Sequence, residues 1–198
     1  MTAPTTRRRG AVLTQAIRQA VLDDLADGGY GSVTYEGVSR RARASKPVLY
    51  RRYPTRAHMV ADALLGDLRT RRMEPQKPTG PLRADLHSLF SLVVAPSRMV
   101  GARVLRALMG EADDELASLI INGDQRPAID MLLSIVDHAR GRGELGPSPI
   151  PRPALLAPVG LLRTQVLEED MPPGYLDEVI DTVAIPLYRL WSHNQAEQ

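Results

Sequence analysis

Apolar side chains recur every three to four residues along most of the chain, which is the spacing of amphipathic helices. Leu13, Ile17, Val21 and Leu25 form one such stripe, and the pair Gly28-Gly29 then supplies the left-handed conformation that ends a helix. In the first third of the chain, the pattern predicts four helices, separated by glycines, a proline and tight turns: Ala11–Ala26, Thr34–Ala42, Ser45–Tyr53 and Arg56–Arg72.

The second and third predicted helices carry start signals. Thr34 is an N-cap residue, and Val33 with Val38 occupies the positions of a hydrophobic staple. Ser45 is a cap residue for the next helix, and Pro47 falls in its first turn, where a missing N–H costs nothing. Because only Arg43-Ala44 separates the two helices, the sequence predicts a helix-turn-helix.

The rest of the chain continues the helical pattern after a linker with three prolines at Met73–Pro81. Pro127 predicts a kink in the longest stretch, and a loop rich in glycine and proline spans Gly141–Pro153. The sequence thus predicts an all-α fold of about nine helices, the later ones being Leu82–Ala95, Arg98–Met109, Asp114–Val136, Ala154–Glu168 and Gly174–His193.

The helix Ser45–Tyr53 has two unlike faces. Leu49 and Tyr53 are four residues apart, so they share a face that can be buried. The opposite face carries two cations, a proline ring and a phenol, which suit phosphates and thymine methyl groups in a DNA groove. The alternative is a solvated helix that is merely basic, or a helical hairpin without a DNA function. The residues of this face are Lys46, Pro47, Tyr50 and Arg51.

The formal net charge of +2 hides an asymmetry along the chain. Met1–Arg72 holds 14 Arg or Lys and 6 Asp or Glu, a charge of +8, whereas the remainder has a charge of −6. A basic head on an acidic body is typical of a protein that binds polyanions through one end only. A GC-rich genome would favour arginine over lysine, but it would not gather the bases at one end.

The first ten residues are expected to form a flexible basic arm without apolar periodicity. Arg7, Arg8 and Arg9 would reach phosphates or a minor groove, or else serve only as a solubilising tail. No apolar stretch follows them, so they do not form a secretory signal. With no cysteine and no apolar run approaching the ~20 residues of a membrane span, the sequence indicates a cytoplasmic protein that does not bind membranes.

The last two predicted helices, about 154–168 and 174–193, are apolar around much of their circumference. A helix that is apolar on two sides needs two packing partners, one of which would be a second subunit. Complete burial within the monomer is the alternative.

The stretch from Ala11 to Leu68, about a third of the chain, resembles the DNA-binding domain of the tetracycline-repressor (TetR) family. The resemblance rests on Val33-Thr34, Val38, Ala42 and the run from Ser45 to Arg56, which reads SKPVLYRRYPTR. Within that run, the Leu-Tyr pair, the aromatic residue three positions later and the basic residue six positions after Tyr50 are specific in combination. Two departures are Arg43-Ala44, where the family usually has Gly-Val, and Tyr53, where phenylalanine is common.

This resemblance implies a DNA-binding domain over residues 11–72 and a ligand-binding and dimerisation domain over residues 73–198. It also implies a homodimer that pairs through its last two long helices in a four-helix bundle. The two heads would bind a pseudo-palindromic DNA operator. A small-molecule inducer would shift the helix Arg56–Arg72 and release the repressor. Phosphate contacts would come from Thr34, Ser45, Tyr50 and Arg56.

A pocket for the inducer would lie in the C-terminal helices. With few aromatic side chains available for stacking, a flexible apolar ligand fits this Leu- and Met-rich region better than a flat aromatic one. Apolar residues at helical spacing also form plain core, so each candidate has this second interpretation. The candidates are Phe90, Met99, Met109 and Met131, with His87 or Arg103 as polar contacts.

Signatures of catalysis and of cofactor binding are absent from the sequence. There is no phosphate-binding glycine motif or nucleophile elbow, and the four histidines lack the spacing of metal ligands. We therefore expect no enzyme activity, no cofactor and no metal. Two other functions stay open: an architectural DNA-binding protein without an inducer, and a module whose basic head binds an acidic protein.

Overall fold

The computed structural model describes residues 5–71, 77–122, 126–168 and 171–193, with side chains for 10–66, 77–120, 128–168 and 171–193. Every regular element within these residues is helical, which confirms the all-α prediction. A 3₁₀ turn at Tyr30–Ser32 follows the first helix, and a π-helical segment, Val179–Ala184, joins the last two. The α-helices are α1 (Thr5–Gly28), α2 (Tyr35–Ala42), α3 (Lys46–Arg52), α4 (Arg56–Arg71), α5 (Leu82–Glu111), α6 (Asp114–Asn122), α7 (Arg126–Gly141), α8 (Arg152–Glu168), α9 (Tyr175–Glu178) and α10 (Ile185–His193).

The chain divides into two compact units, each with its own core. The first unit comprises Met1–Met73 and Arg103–Gly123, and the second comprises Glu74–Ala102 and Asp124–Gln198. The first unit is therefore larger than the DNA-binding domain expected over residues 11–72, because α6 packs against α4. The helix α5 contributes to both units.

The first helix begins at Thr5, six residues before the predicted start at Ala11. The expectation of a flexible arm over residues 1–10 is thus wrong from Thr5 onward, and residues 1–4 lie outside the described part. Arginine is a good helix former, so Arg7, Arg8 and Arg9 favour extension of α1 over this stretch and outweigh the cost of Gly10. Its other end follows the prediction: Gly29 has φ +69° and its N–H bonds the Leu25 carbonyl at 2.9 Å.

The core of the first unit forms where α1 packs against α2 and α4. The inward stripe of α1 is buried as predicted, except for Leu13, which is half-buried. Val33 and Val38 are completely buried, as a hydrophobic staple requires. The other buried side chains of this core include Ile17, Val21, Leu25, Leu49, Tyr53, Met59, Val60 and Leu64.

The turn between α2 and α3 requires an unusual backbone conformation. Arg43 has φ +51° and ψ +38°, the left-handed region that β-carbons disfavour. Two hydrogen bonds close the turn around it: the Ala44 N–H donates to the Ser39 carbonyl at 3.0 Å, and the Ser39 hydroxyl donates to the Ala44 carbonyl at 2.5 Å. The glycine that the TetR family usually has here would adopt this conformation without strain.

We expect Arg43→Gly to raise the free energy of unfolding by about 0.5–1 kcal/mol, because relief of left-handed strain outweighs the extra entropy of the unfolded chain. Urea denaturation of the purified protein measures this. Arg43→Ala is the matched control, since it removes the same side chain but keeps the β-carbon. A gain in stability for both variants alike would contradict the explanation by strain.

The start of α3 differs from the prediction in one respect. Ser45 has the extended backbone of an N-cap residue, but its hydroxyl makes no capping hydrogen bond. Pro47 has no N–H to offer, and the Val48 N–H bonds the Ser45 carbonyl at 3.0 Å instead. The Ser45 side chain is consequently exposed on the surface.

The two helices predicted as Leu82–Ala95 and Arg98–Met109 are one long helix with a break at a different place. Helix α5 continues through Pro96 and Ser97, and its backbone leaves helical geometry at Gly101, with φ +76° and ψ +158°. The Ser97 hydroxyl donates to the Val94 carbonyl at 2.9 Å, a bond that spans Pro96. The prediction placed the break at the proline, whereas the glycine is the residue that can adopt the required angles.

The predicted stretch Asp114–Val136 is described as two helices, α6 and α7. Pro127, which was expected to kink this stretch, is the second residue of α7 and lies in its first turn. A proline there replaces an N–H that has no helical partner in any case, so the helix needs no kink.

The core of the second unit includes α8 packed against the segment Tyr175–His193. Tyr188 is completely buried and donates its hydroxyl to the Leu155 carbonyl at 2.6 Å. The predicted interruption at Pro186 takes the form of the π-helical turn just before it, in which the Ile185 N–H bonds the Ile180 carbonyl. The wider turn, with one additional residue, accommodates the proline, which has no N–H to donate to the helix.

Candidate nucleic-acid interface

The exposed face of α3 is formed by the four side chains that the sequence pointed to. Lys46, Pro47, Tyr50 and Arg51 are all exposed, with Tyr50 58% accessible to solvent. Leu49 is completely buried behind them. Helix α3 thus presents two cations, a ring and a phenol to solvent while its other side is anchored in the core. We refer to these four residues as the α3 face.

Tyr35, the first residue of α2, supports the α3 face and was not identified from the sequence. Its ring stacks on that of Tyr50, with centroids 4.3 Å apart and planes inclined by 24°. Its hydroxyl donates to the Tyr53 carbonyl at 2.6 Å, at the C-terminal end of α3. Tyr35 therefore both restricts the orientation of the Tyr50 ring and ties α2 to α3. Only its place at the start of a helix was evident from the pattern.

A partly buried network of hydrogen bonds holds α3 against α1 and α4. Arg18 donates to both carboxylate oxygens of Asp62, at 2.8 and 3.1 Å, and Tyr53 donates its hydroxyl to the same carboxylate at 2.7 Å. Burial acts to raise the pKa of Asp62, but hydrogen bonds from Arg18 and Tyr53 outweigh it and lower that pKa, so the group stays ionised at neutral pH.

The network accounts for the glycine at position 66, in the middle of α4. A β-carbon at Gly66 would lie 2.6 Å from Nη1 of Arg18, so the guanidinium group occupies the space that the missing side chain leaves. A glycine in the middle of a helix is unfavourable by about 1 kcal/mol relative to alanine. Here that cost allows Arg18 to reach Asp62 across the surface of α4.

Thr34 and Ser45, two of the four predicted phosphate ligands, lie next to the helices of the helix-turn-helix and have exposed side chains. Thr34 is exposed, and its hydroxyl caps α2 by accepting from the Gly37 N–H at 3.0 Å. The Ser45 hydroxyl is exposed and is not used as a cap. Both are placed where a phosphate can approach, and their roles stay predictions.

Two of the predicted DNA-binding cations are already paired with carboxylates. Lys46 lies 3.1 Å from Oε2 of Glu36 in α2, an exposed pair that is worth little in water. Arg56, expected to contact a phosphate, donates instead to Glu111 at the end of α5, from Nη2 to Oε1 and from Nε to Oε2 at 3.2 Å. By contrast, Arg40, Arg43 and Arg51 are exposed and make no ion pair within the described part of the chain.

The remaining predicted contacts, Arg7, Arg8 and Arg9, lie within the first turns of α1. Their side chains fall outside the described part of the structure, so a contact of this segment with phosphates or a minor groove stays a prediction.

A cavity of about 310 Å³ lies in the second unit. Its lining combines a hydroxyl, a guanidinium group, a backbone segment at the break in α5 and a thioether: Ser97, Arg98, Gly101 and Met171. None of the six predicted pocket residues lines this cavity, although Arg98 is next to Met99 in sequence and Ser97 and Gly101 are two positions from it. A polar residue next to a helix break would have been the signal for it.

The six predicted pocket residues are dispersed. Phe90 is completely buried in the core, Met99 is 36% exposed, and His87 and Met131 are half-buried. Arg103 and Met109 belong to the first unit rather than the second. Nε2 of His87 lies 4.0 Å from Oδ1 of Asp177, a carboxylate that also pairs with Arg83 at 2.8 Å. The structure does not gather these side chains around one space.

Among the described residues, no group of three or more histidine, aspartate or glutamate side chains is arranged to hold a metal ion. Helix α5 is the one described helix with the length and apolar composition of a membrane span, a test that core helices of soluble proteins also pass.

A helix-turn-helix with an exposed basic face, followed by further helices and a cavity, is typical of DNA-binding transcriptional regulators. The family profile described as "Tetracyclin repressor-like, C-terminal domain" matches residues 76–183. The chain belongs to the TetR family of transcriptional regulators, which are DNA-binding proteins and not enzymes.

Curated relatives named as transcriptional regulators match this chain over most of its length and of their own. The uncharacterized HTH-type transcriptional regulator Rv1556 of Mycobacterium tuberculosis is 30% identical over 172 residues, which cover 82% of this chain and 81% of that protein. The HTH-type transcriptional regulator AqdR of Rhodococcus erythropolis is 24% identical over 178 residues, covering 88% and 85% respectively.

Solved structures share the fold. The transcriptional regulator FadR of Bacillus subtilis, determined in complex with stearoyl-CoA, superposes with a TM-score of 0.55 at 15% identity and covers 90% of this chain and 97% of its own. GusR of Salmonella enterica gives a TM-score of 0.53 at 16% identity, covering 90% and 93%. At these identities the likeness concerns the fold alone. It agrees with the predicted all-α fold of a helix-turn-helix head and a helical body.

Proposed function

We propose that this protein is a dimeric, cytoplasmic repressor whose two heads bind a pseudo-palindromic operator and whose C-terminal unit binds the small molecule that releases it. The observation that carries the proposal is the α3 face, with its cations, ring and phenol exposed above a buried, hydrogen-bonded support. Regulators of the TetR family bind DNA operators and small ligands and form dimers.

In the proposed complex, the α3 face enters the major groove. Lys46 and Arg51 supply cations for guanine edges or phosphates, and Pro47 with the Tyr50 ring supplies apolar contact for thymine methyl groups. Thr34, Ser45, Arg56 and the Tyr50 hydroxyl hold phosphates, with Arg7, Arg8 and Arg9 as an auxiliary arm. Lys46 has to leave Glu36 for this, which costs little because both groups are largely exposed.

We expect Tyr35→Leu to weaken operator binding about three- to tenfold, because loss of a stacked aromatic pair leaves the Tyr50 ring free to rotate before it binds. Fluorescence anisotropy with a labelled operator measures the change. Tyr35→Phe is the matched control, since it keeps the stacked ring and should bind nearly as the wild type does. Equal losses in the two variants would show that the hydroxyl bond to α3, rather than the stacking, matters.

Support for the dimer comes from α8 and α10. One side of these helices is buried within the monomer. The buried side chains include Leu162, Val166 and Tyr188. Leu161 is 43% exposed on α8, and Leu190 is 57% exposed on α10 together with Trp191 at 38%. Large apolar side chains on the outer side of both helices favour pairing with a second copy through the four-helix bundle that the family uses.

Support for a ligand comes from the cavity beside the break in α5. Its volume of about 310 Å³ is at the lower end of ligand pockets. Arg98 suits an acidic group of the ligand, whereas Met171 suits an apolar part. The FadR structure holds stearoyl-CoA, a molecule with both kinds of group. We therefore propose a ligand with an apolar portion and an acidic group, which extends the purely apolar molecule expected from composition.

Release from DNA requires differential affinity. The ligand must bind the form whose heads are wrongly spaced for the operator more tightly than the form that fits it, because equal affinity for both forms shifts nothing. In the proposed mechanism, the change reaches the heads through a shift of α4.

The decisive experiment selects binding sites from a pool of random DNA duplexes and then measures affinity at two salt concentrations. A regulator should enrich a pseudo-palindrome and bind it far more tightly than a shuffled duplex, with affinity falling steeply as salt rises. Equal affinity for every duplex would support an architectural DNA-binding protein instead. Failure to bind any duplex would favour a module that contacts an acidic protein.

A further inference from the structure

The N-terminal end of α4 is held by an acidic segment of the same unit. Arg56 donates through Nε and Nη2 to both carboxylate oxygens of Glu111, the last residue of α5. Two residues further along each segment, Nε2 of His58 lies 3.9 Å from Oδ2 of Asp113. The cation that the sequence assigns to a DNA phosphate is therefore neutralised within the protein.

Tyr30 fixes the geometry of this pair. Its hydroxyl donates to Oε2 of Glu111 at 3.0 Å, and the guanidinium carbon of Arg56 lies 4.6 Å from its ring centroid. Burial, together with the hydrogen bond to Glu111, raises the pKa of Tyr30 to about 12, so it remains a donor at all ordinary pH values. The hydrogen bond from Arg56 lowers the pKa of Glu111, which keeps that carboxylate charged.

A carboxylate and a phosphate use a guanidinium group in the same way. Each accepts two parallel N–H bonds from its planar fork. Nε and Nη2 are the two donors of the fork edge that Glu111 occupies. A phosphate approaching that edge must displace Glu111, so the two contacts exclude each other.

We propose that Glu111 is an internal competitor of operator DNA: it occupies Arg56 in the free protein, and Arg56 exchanges it for a backbone phosphate on binding. The proposal rests on the proposed function, since it assumes that Arg56 faces DNA. Glu111 is thereby an affinity-determining residue that makes no contact with DNA. The strength of the Arg56–Glu111 pair determines the free energy that is needed to release Arg56 before it can contact a phosphate.

The expected effect of Glu111 on operator affinity follows from the solvent exposure of the Arg56–Glu111 pair. The side chains of Arg56 and Glu111 are 31% and 42% accessible, so solvent screens the pair as it does other surface ion pairs. One such pair reduces the affinity of a head about twofold. Because both heads of a dimer bind one operator, the reduction multiplies to about fourfold for the complex.

The test compares operator binding by Glu111→Gln and by the wild type. Glutamine keeps the shape and can still accept the Tyr30 hydroxyl, but it loses the charge that competes with phosphate. We expect about fourfold tighter binding, twofold from each of the two heads. Glu115→Gln is the matched control, because it makes the same chemical change at an exposed carboxylate of α6; it should tighten binding clearly less.

The double variant Arg56→Gln/Glu111→Gln separates competition from repulsion. Under the proposal, Arg56→Gln alone weakens operator binding, and Glu111→Gln adds no gain on that background. The proposal is overturned if Glu111→Gln tightens binding equally with and without Arg56, since the carboxylate would then repel DNA directly. Unchanged or weaker binding by Glu111→Gln also overturns it.

These outcomes are distinguishable from failure of the proposed function. Removal of the Tyr50 side chain tests the α3 face without involving Glu111. If Tyr50→Ala loses operator binding while Glu111→Gln behaves like Glu115→Gln, the α3 face stands and the competition does not. If Tyr50→Ala binds normally, the proposed mode of DNA binding itself fails.

Discussion

Tyr50→Ala should weaken operator binding about 100-fold, from a loss of about 1.4 kcal/mol at each of two heads. The Tyr50 ring belongs to the α3 face and is more than half exposed and stacked on Tyr35, so in the proposed complex it would meet the groove in a restricted orientation. Its removal would delete both the proposed apolar contact to a base and the hydroxyl proposed to bind a phosphate. Anisotropy titration with the selected operator measures the affinity.

Two controls accompany the Tyr50 variant. Tyr50→Phe keeps the ring and removes only the hydroxyl, so it should retain most of the affinity if apolar contact dominates. The mass in solution of Tyr50→Ala should match that of the wild type. Its thermal midpoint should fall only slightly, because the variant loses the stacking on Tyr35 but no contact of the buried core. Normal operator binding by Tyr50→Ala would remove the α3 face from the interface.

Gly146→Ala should lower the free energy of unfolding by about 3 kcal/mol, which corresponds to a fall of about 10 °C in the thermal midpoint. Gly146 lies in the loop between α7 and α8, and a β-carbon there would overlap the Ser192 carbonyl group, whose carbon would be only 2.8 Å away. The overlap is with backbone rather than with a flexible side chain, so neither partner can move without loss of hydrogen bonds.

Several hydrogen bonds fasten this loop to the end of α10. The Gly146 N–H donates to the Ser192 hydroxyl at 3.0 Å, and the Ser148 N–H donates to the Ser192 carbonyl at 3.0 Å. Arg140 donates to the carbonyls of Gly146 and Ser148, at 3.2 and 2.8 Å. Because Ser192 is completely buried, separation of the loop from α10 would leave these buried groups without partners.

Gly141→Ala is the matched control for the Gly146 variant. Gly141 is the last residue of α7, and a β-carbon there would have nothing within 4 Å. Alanine at this position should be neutral or slightly stabilising. Thermal denaturation at equal protomer concentration compares the two variants. Equal midpoints for Gly146→Ala and the wild type would contradict the close approach described here.

Local chemistry allowed much of the first unit to be predicted. The cap at Thr34, the staple of Val33 and Val38 and the glycine that ends α1 all involve residues within five positions of one another. Sequence spacing alone determines such contacts, because a helix places neighbours three and four residues apart on one face. For the same reason, the exposure of the α3 face could be predicted from nine consecutive residues.

Predictions that depended on choosing between two local signals were less successful. Pro96 and Gly101 both permit a break in α5, and the sequence favoured the proline, whereas the structure places the break at the glycine. The first residues of α1 have no apolar periodicity, yet the helix extends to Thr5. In each case the local signal is compatible with more than one conformation, so the sequence alone did not decide between them.

The sequence by itself determined the all-α class, the helix-turn-helix and the charge and identity of the side chains on the α3 face, because helical periodicity and caps act over a few residues. Only the tertiary structure brought Tyr35 onto Tyr50, Arg18 across Gly66 to Asp62, and Glu111 onto Arg56. The last pair joins residues 55 positions apart. Such pairings follow from how helices pack, so no local pattern along the chain records them.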